Sequence, residues 1–117
     1  MNTRAEREAR GRRGETLAAW YLRLTGWRVL ARRVKTARGE IDLIARRGRV
    51  LAFVEVKWRA TAAERDLAID PYRLRRVIAA AEGIAHRYVR PGDDQRVDVL
   101  LLAPGRWPRH IVNAGLN

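Results

Sequence analysis

Two apolar runs with carboxylates in their interiors constrain this chain more than any other feature. They are Gly39-Glu40-Ile41-Asp42-Leu43-Ile44-Ala45 and Phe53-Val54-Glu55-Val56-Lys57, separated by residues 46–52. Each has the length and residue types of a strand, and the spacing leaves room for little besides a hairpin turn. Acidic side chains seldom sit inside apolar runs without a partner or a function. A hairpin built from these segments gathers carboxylates and a lysine on one face.

Successive side chains on a strand alternate faces. Glu40, Asp42 and Ile44 therefore share one side of the first segment, and Phe53, Glu55 and Lys57 one side of the second. A two-residue turn at Arg47-Gly48 pairs Arg46 with Arg49, Asp42 with Phe53 and Glu40 with Glu55. Asp42 and Glu55 are then diagonal neighbours, about 7–8 Å apart at Cβ. A one-residue slip would send the acids to opposite faces, so the arrangement depends on the turn. Two such carboxylates suit a hard divalent cation, Mg²⁺ or Mn²⁺, bound through oxygen. Glu40 facing Glu55 repels it unless a cation intervenes, which makes Glu40 a supporting acid. Lys57 is suited to position a water and to stabilise charge at a scissile phosphate. Ordinary strand chemistry offers a plainer alternative: Glu55 and Lys57 face solvent, and Asp42 pairs with one of the many arginines.

Around this hairpin the chain reads as a single α/β unit. Residues 15–25 have a helical pattern with Ala18, Ala19 and Leu22 on the apolar stripe, and Gly26 fits the position just past the helix. Glu15 shares the inward face of that helix, either as a partner of its N-terminal dipole or as a site residue. Residues 27–33 read as a first strand, 34–38 as a polar connection, 39–46 and 49–58 as the hairpin strands. Asp70-Pro71 opens a second helix, with Asp70 as cap and Pro71 in the first turn. Leu74, Val77, Ile78, Ala81, Ala85 and Tyr88 form its buried stripe. Residues 97–102 are a near-continuous apolar strand, and 107–112 an edge strand carrying Pro108. The order helix, three strands, helix, strand, strand describes helices packed on a mixed sheet. His86 and His110 have no ligand partner at short spacing and are expected at the surface or a strand edge. Trp58 is either a core aromatic or a platform for an unpaired base.

Charge narrows the class of partner. The 117 residues carry 25 basic and 13 acidic side chains, a formal net charge of +12. Such a field attracts polyanions, and nucleic acid is the expected one. Of the 25 basic residues only Lys35 and Lys57 are lysine. That singles out Lys57, a compact point charge in a chain that otherwise uses planar guanidinium groups. Cysteine is absent, which excludes disulfides and thiolate metal sites. No apolar run is long enough to cross a bilayer and no secretion signal opens the chain, so a cytoplasmic protein without a membrane partner is expected.

The quoted motifs resemble the YraN-like family of small bacterial proteins, which is itself similar to archaeal Holliday junction resolvases and to the wider PD-(D/E)xK nuclease superfamily. The residues that carry the resemblance are Gly14-Glu15 with Ala18, Ala19, Leu22 and Gly26, then residues 39–45, then 53–57 with Arg59. Weaker matches are Pro71 with Arg75-Arg76, Arg96 with Asp98, and Ile111 with Asn113-Ala114. The resemblance implies a restriction-endonuclease-like αβββαβ core in one nuclease-like domain, residues 14–117; the arginine-rich residues 1–13 before it read as a basic arm or a frayed helix. It implies an Mg²⁺- or Mn²⁺-dependent endonuclease acting on DNA rather than RNA, branched or structured DNA included. Asp42, Glu55, the Val56 carbonyl and Glu15 would bind the metal, and Asp42, Glu55, Lys57 and Glu15 would form the catalytic set. A homodimer is implied by the same analogy. The competing reading is a nucleic-acid-binding module that keeps the fold without cutting. The chain departs from the family pattern at Tyr72-Arg73, where relatives often carry lysine, and at Trp58, where smaller residues are common.

Overall fold

The computed structural model describes residues 4–61, 63 and 70–114, with side chains described from residue 11 onward. The start of the expected basic arm, residues 1–3, lies outside the described residues, as do residues 115–117 at the end of the expected domain. The elements are α1 (Arg4–Leu24), β1 (Arg28–Thr36), β2 (Gly39–Arg47), β3 (Val50–Trp58), α2 (Pro71–Ile84), β4 (Asp94–Leu102) and β5 (Arg109–Ile111). A 3₁₀ turn, Ala85–Arg87, extends α2. Among the described residues no helix is long and apolar enough to cross a membrane.

The five strands form one sheet in the order β1-β2-β3-β4-β5. β1 with β2, β2 with β3 and β4 with β5 pair antiparallel, whereas β3 and β4 run parallel. The mixed α/β sheet expected from the sequence is therefore present. Antiparallel neighbours need only short turns, but the parallel β3–β4 pair needs a crossover, and α2 lies within it.

The two helices cover opposite faces. Ala18, Ala19 and Leu22 of α1, with Trp27, pack on Leu43, Ala45, Ala52, Val54, Leu100 and Leu102. Ala80, Ala81 and Ile84 of α2 pack on Ile41, Ile44, Leu51 and Phe53. Leu22 and Phe53 are essentially inaccessible, and truncating such a side chain to alanine costs about 3–5 kcal/mol.

Local chemistry sets the helix ends. Gly26 at φ 93° follows α1. The Trp27 N–H donates to the Leu22 carbonyl at 2.8 Å and the Gly26 N–H to that of Arg23 at 3.2 Å. These paired bonds close the helix and bring Trp27 onto Leu22, and glycine supplies the left-handed backbone they require. At α2 the Asp70 side chain accepts the Tyr72 N–H at 3.0 Å, and Pro71 takes the first helical position.

Several boundaries differ from those expected: β4 begins at Asp94 rather than residue 97, and β5 is only Arg109–Ile111, so Pro108 precedes the edge strand instead of lying in it. α1 begins at Arg4, so of the two readings of the basic N-terminal segment the helix is the one found, running through Gly11 and Gly14. β1 runs on to Thr36, and a tight turn at Ala37-Arg38 replaces the longer connection. The hairpin turn is Gly48-Arg49, not Arg47-Gly48, which pairs Arg47 with Val50 and Ile44 with Phe53. Gly48 at φ 60° occupies the first central position of that turn, a place where two-residue hairpins call for glycine.

Candidate functional site

The register change preserves the faces on which the site depends. The expected pairing set Asp42 opposite Phe53, but the observed one sets Ile44 there. The slip is two residues along one strand, an even number, so no side chain changes side. Continued past its last pair, Leu43 with Val54, the observed register would place Asp42 level with Glu55.

The ladder does not continue regularly to that point. Leu43 packs toward α1, whereas both Ile41 and Ile44 pack toward α2. Strict alternation would put Ile41 with Leu43, so the strand is irregular at Asp42. Ile44 accordingly cannot be assigned to Asp42's face by counting, as the sequence reading did. Opposite this point Arg33 of β1 takes a left-handed φ of 53°. The β1–β2 pairing passes from Arg32–Leu43 to Val34–Ile41 without an Arg33–Asp42 pair. Asp42 Oδ2 instead accepts the Val56 backbone N–H at 2.8 Å. The carboxylate thus fills the role of a ladder acceptor between strands that have begun to part.

Three acids meet there. Glu15, Glu40 and Asp42 each offer a carboxylate oxygen, and these atoms lie within 4.8 Å of one another. Glu15 comes from the buried face of α1 and also pairs with Arg33. Glu40 is exposed and Asp42 partly buried. Burial, followed by the negative charge of Glu55, pushes the Asp42 carboxyl up to about 7; Glu15 adds to the rise, while the Val56 N–H and Lys57 oppose it.

Glu55 and Lys57 stand beside this trio. Both are buried, and Lys57 Nζ lies 3.0 Å from Glu55 Oε1. Arg73 of α2 donates to the same oxygen through Nε at 3.0 Å. Burial lowers the Lys57 pKa, and its pairing with Glu55 opposes that. An open pocket of about 240 Å³ is lined by Glu40, Asp42 and Glu55 on one side and by Arg73 and Arg76 on the other. Acids and arginines facing each other across a cleft form a surface that can take a cation and a phosphate together.

Of the residues singled out from the sequence, Glu15, Glu40 and Asp42 converge most tightly, while Glu55 is held by Lys57 and Arg73. Glu40, expected in a supporting part, is a full member of the trio. Arg73 was not expected at the site. Its guanidinium bonds Glu55, and the only hint in the sequence was the run of arginines at the start of α2.

A second buried polar cluster joins Arg96, Asp98 and Asn113, which the sequence offers only as weak resemblance matches, to His110. Asp98, in the apolar β4, has no exposed surface. Its Oδ2 accepts from Arg96 at 2.9 Å and lies 2.8 Å from His110 Nε2; its Oδ1 accepts the Asn113 N–H at 2.9 Å. His110 therefore does have an acidic partner, twelve residues away, reached because β4 and β5 pair. Burial pushes the Asp98 carboxyl up, but the bonds from His110, Arg96 and Asn113 outweigh it and hold the pKa below its ordinary value. The cluster clamps β5 and the following turn to β4.

The profile of the uncharacterised protein family UPF0102 matches residues 14–102. The UPF0102 protein of Sphingopyxis alaskensis is 65% identical over 111 residues, covering 95% of this chain and 96% of that protein. Those of Erythrobacter litoralis and Rhizorhabdus wittichii are 65% and 59% identical over 107 and 113 residues, covering 92% and 97% of this chain and 92% and 96% of theirs. Among solved structures, the Holliday junction resolvase Hjc of Archaeoglobus fulgidus superposes with a TM-score of 0.57 at 21% identity, covering 88% of this chain and 72% of that one. The two chains share an α/β fold. On the match across most of its length, the chain belongs to the uncharacterised protein family UPF0102, the YraN-like family.

Proposed function

We propose that this protein is a divalent-metal-dependent endonuclease that hydrolyses phosphodiester bonds in DNA, with branched or otherwise structured DNA as its substrate. The observation that carries the reading is the convergence of Glu15, Glu40 and Asp42 oxygens within 4.8 Å. Octahedral oxygen ligands at about 2.1 Å from Mg²⁺ or Mn²⁺ lie at most about 4.2 Å apart, so the donor set fits after small side-chain movements. Asp42, Glu55 and Glu15 would hold the ion, supported by Glu40. The Val56 carbonyl would join them, because the backbone groups of one strand residue face the same neighbour and its N–H already meets Asp42. When bound, the ion supplies water activation and charge neutralisation at the phosphate.

The chain's own groups do the rest. Lys57, fixed against Glu55, positions the attacking water and stabilises charge on the scissile phosphate. Arg73 and Arg76, across the pocket, take up the phosphate oxygens. The net charge of +12 draws in the duplex. The Hjc of Archaeoglobus fulgidus is a Holliday junction resolvase, which supports branched DNA as the first substrate to try. Cutting two strands would call for two copies, so a homodimer in the cytoplasm belongs to the same proposal.

The test is cleavage of four-way junction and flap DNA in Mg²⁺ or Mn²⁺ by wild type, Asp42→Asn and Lys57→Ala. Cleavage by the wild type alone supports the proposal. Equal cleavage by all three would assign the activity to other residues.

One observation favours a second reading, a DNA-binding module that does not cut. Arg73 already occupies Glu55 Oε1, as a structural ion pair would. Calorimetric titration with Mn²⁺ separates the two: no uptake, with salt-sensitive DNA binding retained, selects the module.

A further inference from the structure

On the α1 side of the sheet, beside the acid cluster, lies a groove of different chemistry. It encloses about 490 Å³ between Trp20, Tyr21 and Leu24 of α1, Trp58 at the end of β3, and the loop that carries Arg106 and Trp107. Trp20 is 58% exposed, Leu24 73% and Trp107 69%. Large side chains left this open in one patch mark a binding surface more often than chance. The Arg23 guanidinium lies 5.7 Å from the Trp20 ring centroid. Arg59 bonds to the Trp58 carbonyl at 2.8 Å, at the groove's end. Among the described residues no carboxylate lines the groove.

We infer that this groove binds unpaired nucleobases, so that the protein recognises a single-stranded DNA segment next to its cleavage site. The inference rests on the DNA-processing reading above and specifies the substrate feature that reading leaves open.

Charge chooses the occupant. An apolar groove lined by Arg106, with Arg23 over its Trp20 ring, in a +12 chain suits a polyanion that also has flat apolar faces. Single-stranded nucleic acid has both properties: phosphates for the arginines and bases for the indoles. A second copy of this chain would bring arginines against arginines. Duplex DNA keeps its bases stacked inside and offers the indoles nothing. The groove and the site also share two elements. Glu15 precedes Leu17 by two residues on α1, and Lys57 immediately precedes Trp58 on β3, so the same two elements wall both features.

The experiment uses the full chain in EDTA, where no metal-dependent cutting can interfere. Fluorescence anisotropy compares labelled dT20, rU20 and a 20-base-pair blunt duplex against wild type, Trp20→Ala, Trp107→Ala and Trp20→Phe, with circular dichroism to verify folding. The expected result is a roughly tenfold loss of dT20 affinity in each alanine variant. Duplex affinity changes by less than about twofold, and Trp20→Phe keeps most dT20 binding because it keeps a stacking face. Equal losses on dT20 and duplex, or none on dT20, overturn the inference, as does a preference for rU20 over dT20. Alanine variants that only convert a dimer to a monomer in sedimentation would assign the groove to self-association and overturn it too. If an alanine variant fails to fold, Trp20→Phe against Trp20→Leu on folded protein decides: equal dT20 binding by both rejects stacking. Because no cleavage is measured, a wild type that binds dT20 this way but never cuts DNA would overturn the nuclease proposal alone.

Discussion

Asp42 Oδ2 accepts the Val56 backbone N–H at 2.8 Å, just beyond the last regular β2–β3 pair. This bond places a carboxylate in the gap between parting strands, where Glu15, Glu40 and Glu55 surround it with like charge. The Asp42 carboxyl is therefore costly to ionise in the metal-free protein, with measurable consequences.

The first concerns stability against pH in EDTA. The Asp42 carboxyl is raised from 3.8 to about 7, chiefly by burial and then by Glu55. A group whose folded pKa is raised stabilises the protein below its unfolded pKa, and that contribution is lost as pH rises through the folded value. Metal-free protein should lose stability between about pH 4 and pH 7. Asp42→Asn, which keeps an acceptor for the Val56 N–H without the charge, should be more stable than wild type at pH 8 by ~1 kcal/mol or more. Urea denaturation of both proteins at pH 5 and pH 8 checks this.

Arg73 should act as a brake on ion uptake. Its Nε shares Glu55 Oε1 with Lys57, although its own side chain is 59% exposed. Arg73→Ala removes one positive charge from the pocket and leaves Glu55 Oε1 to Lys57. Mn²⁺ should bind roughly threefold more tightly, with DNA held more weakly, because an exposed charge contributes modestly at each end. Titration of Mn²⁺ and of a DNA duplex into the variant measures both changes.

Lys57→Ala should separate binding from chemistry. The ammonium repels a cation but assists the reaction, so its loss should leave Mn²⁺ affinity unchanged or improved. Cleavage should fall by about 10²–10³, the range for removing one preorganised electrostatic group. Parallel calorimetry and single-turnover cleavage report the two effects independently.

The Asp98 clamp makes a prediction about folding. Asp98→Ala leaves Arg96 and His110 without their shared anion and Asn113 N–H without its acceptor. Removing one partner of a buried charged cluster costs about 3–5 kcal/mol. Chemical denaturation should show that loss, whereas His110→Gln, which keeps a donor in place, should cost less than half of it.

Much of this structure was legible because its signals are local. Gly26, Asp70 and Pro71 mark helix ends through backbone requirements that act within a few residues, and the structure uses all three as the sequence implied. The hairpin was legible as a unit but its turn was off by one residue, because glycine can take either central position of a two-residue turn and the sequence does not say which. The error spared the site because the resulting slip was even. What stayed hidden depends on contacts between distant segments. His110 looked partnerless until β5 lay against β4 and met Asp98. Arg73 gave no sign of reaching Glu55, eighteen residues before it, until α2 settled on the sheet. Glu40 reads as a mere supporting acid only in the register that sets it opposite Glu55; the observed register, continued, puts Asp42 there instead.

The most direct test of the account is calorimetric titration of Mn²⁺ into wild type, Asp42→Asn and Glu15→Gln at pH 8, where the Asp42 carboxyl is ionised. The expected result is saturable uptake by the wild type and at least a tenfold loss of affinity in each variant, about 1.4 kcal/mol or more. Indistinguishable isotherms for all three proteins would contradict it.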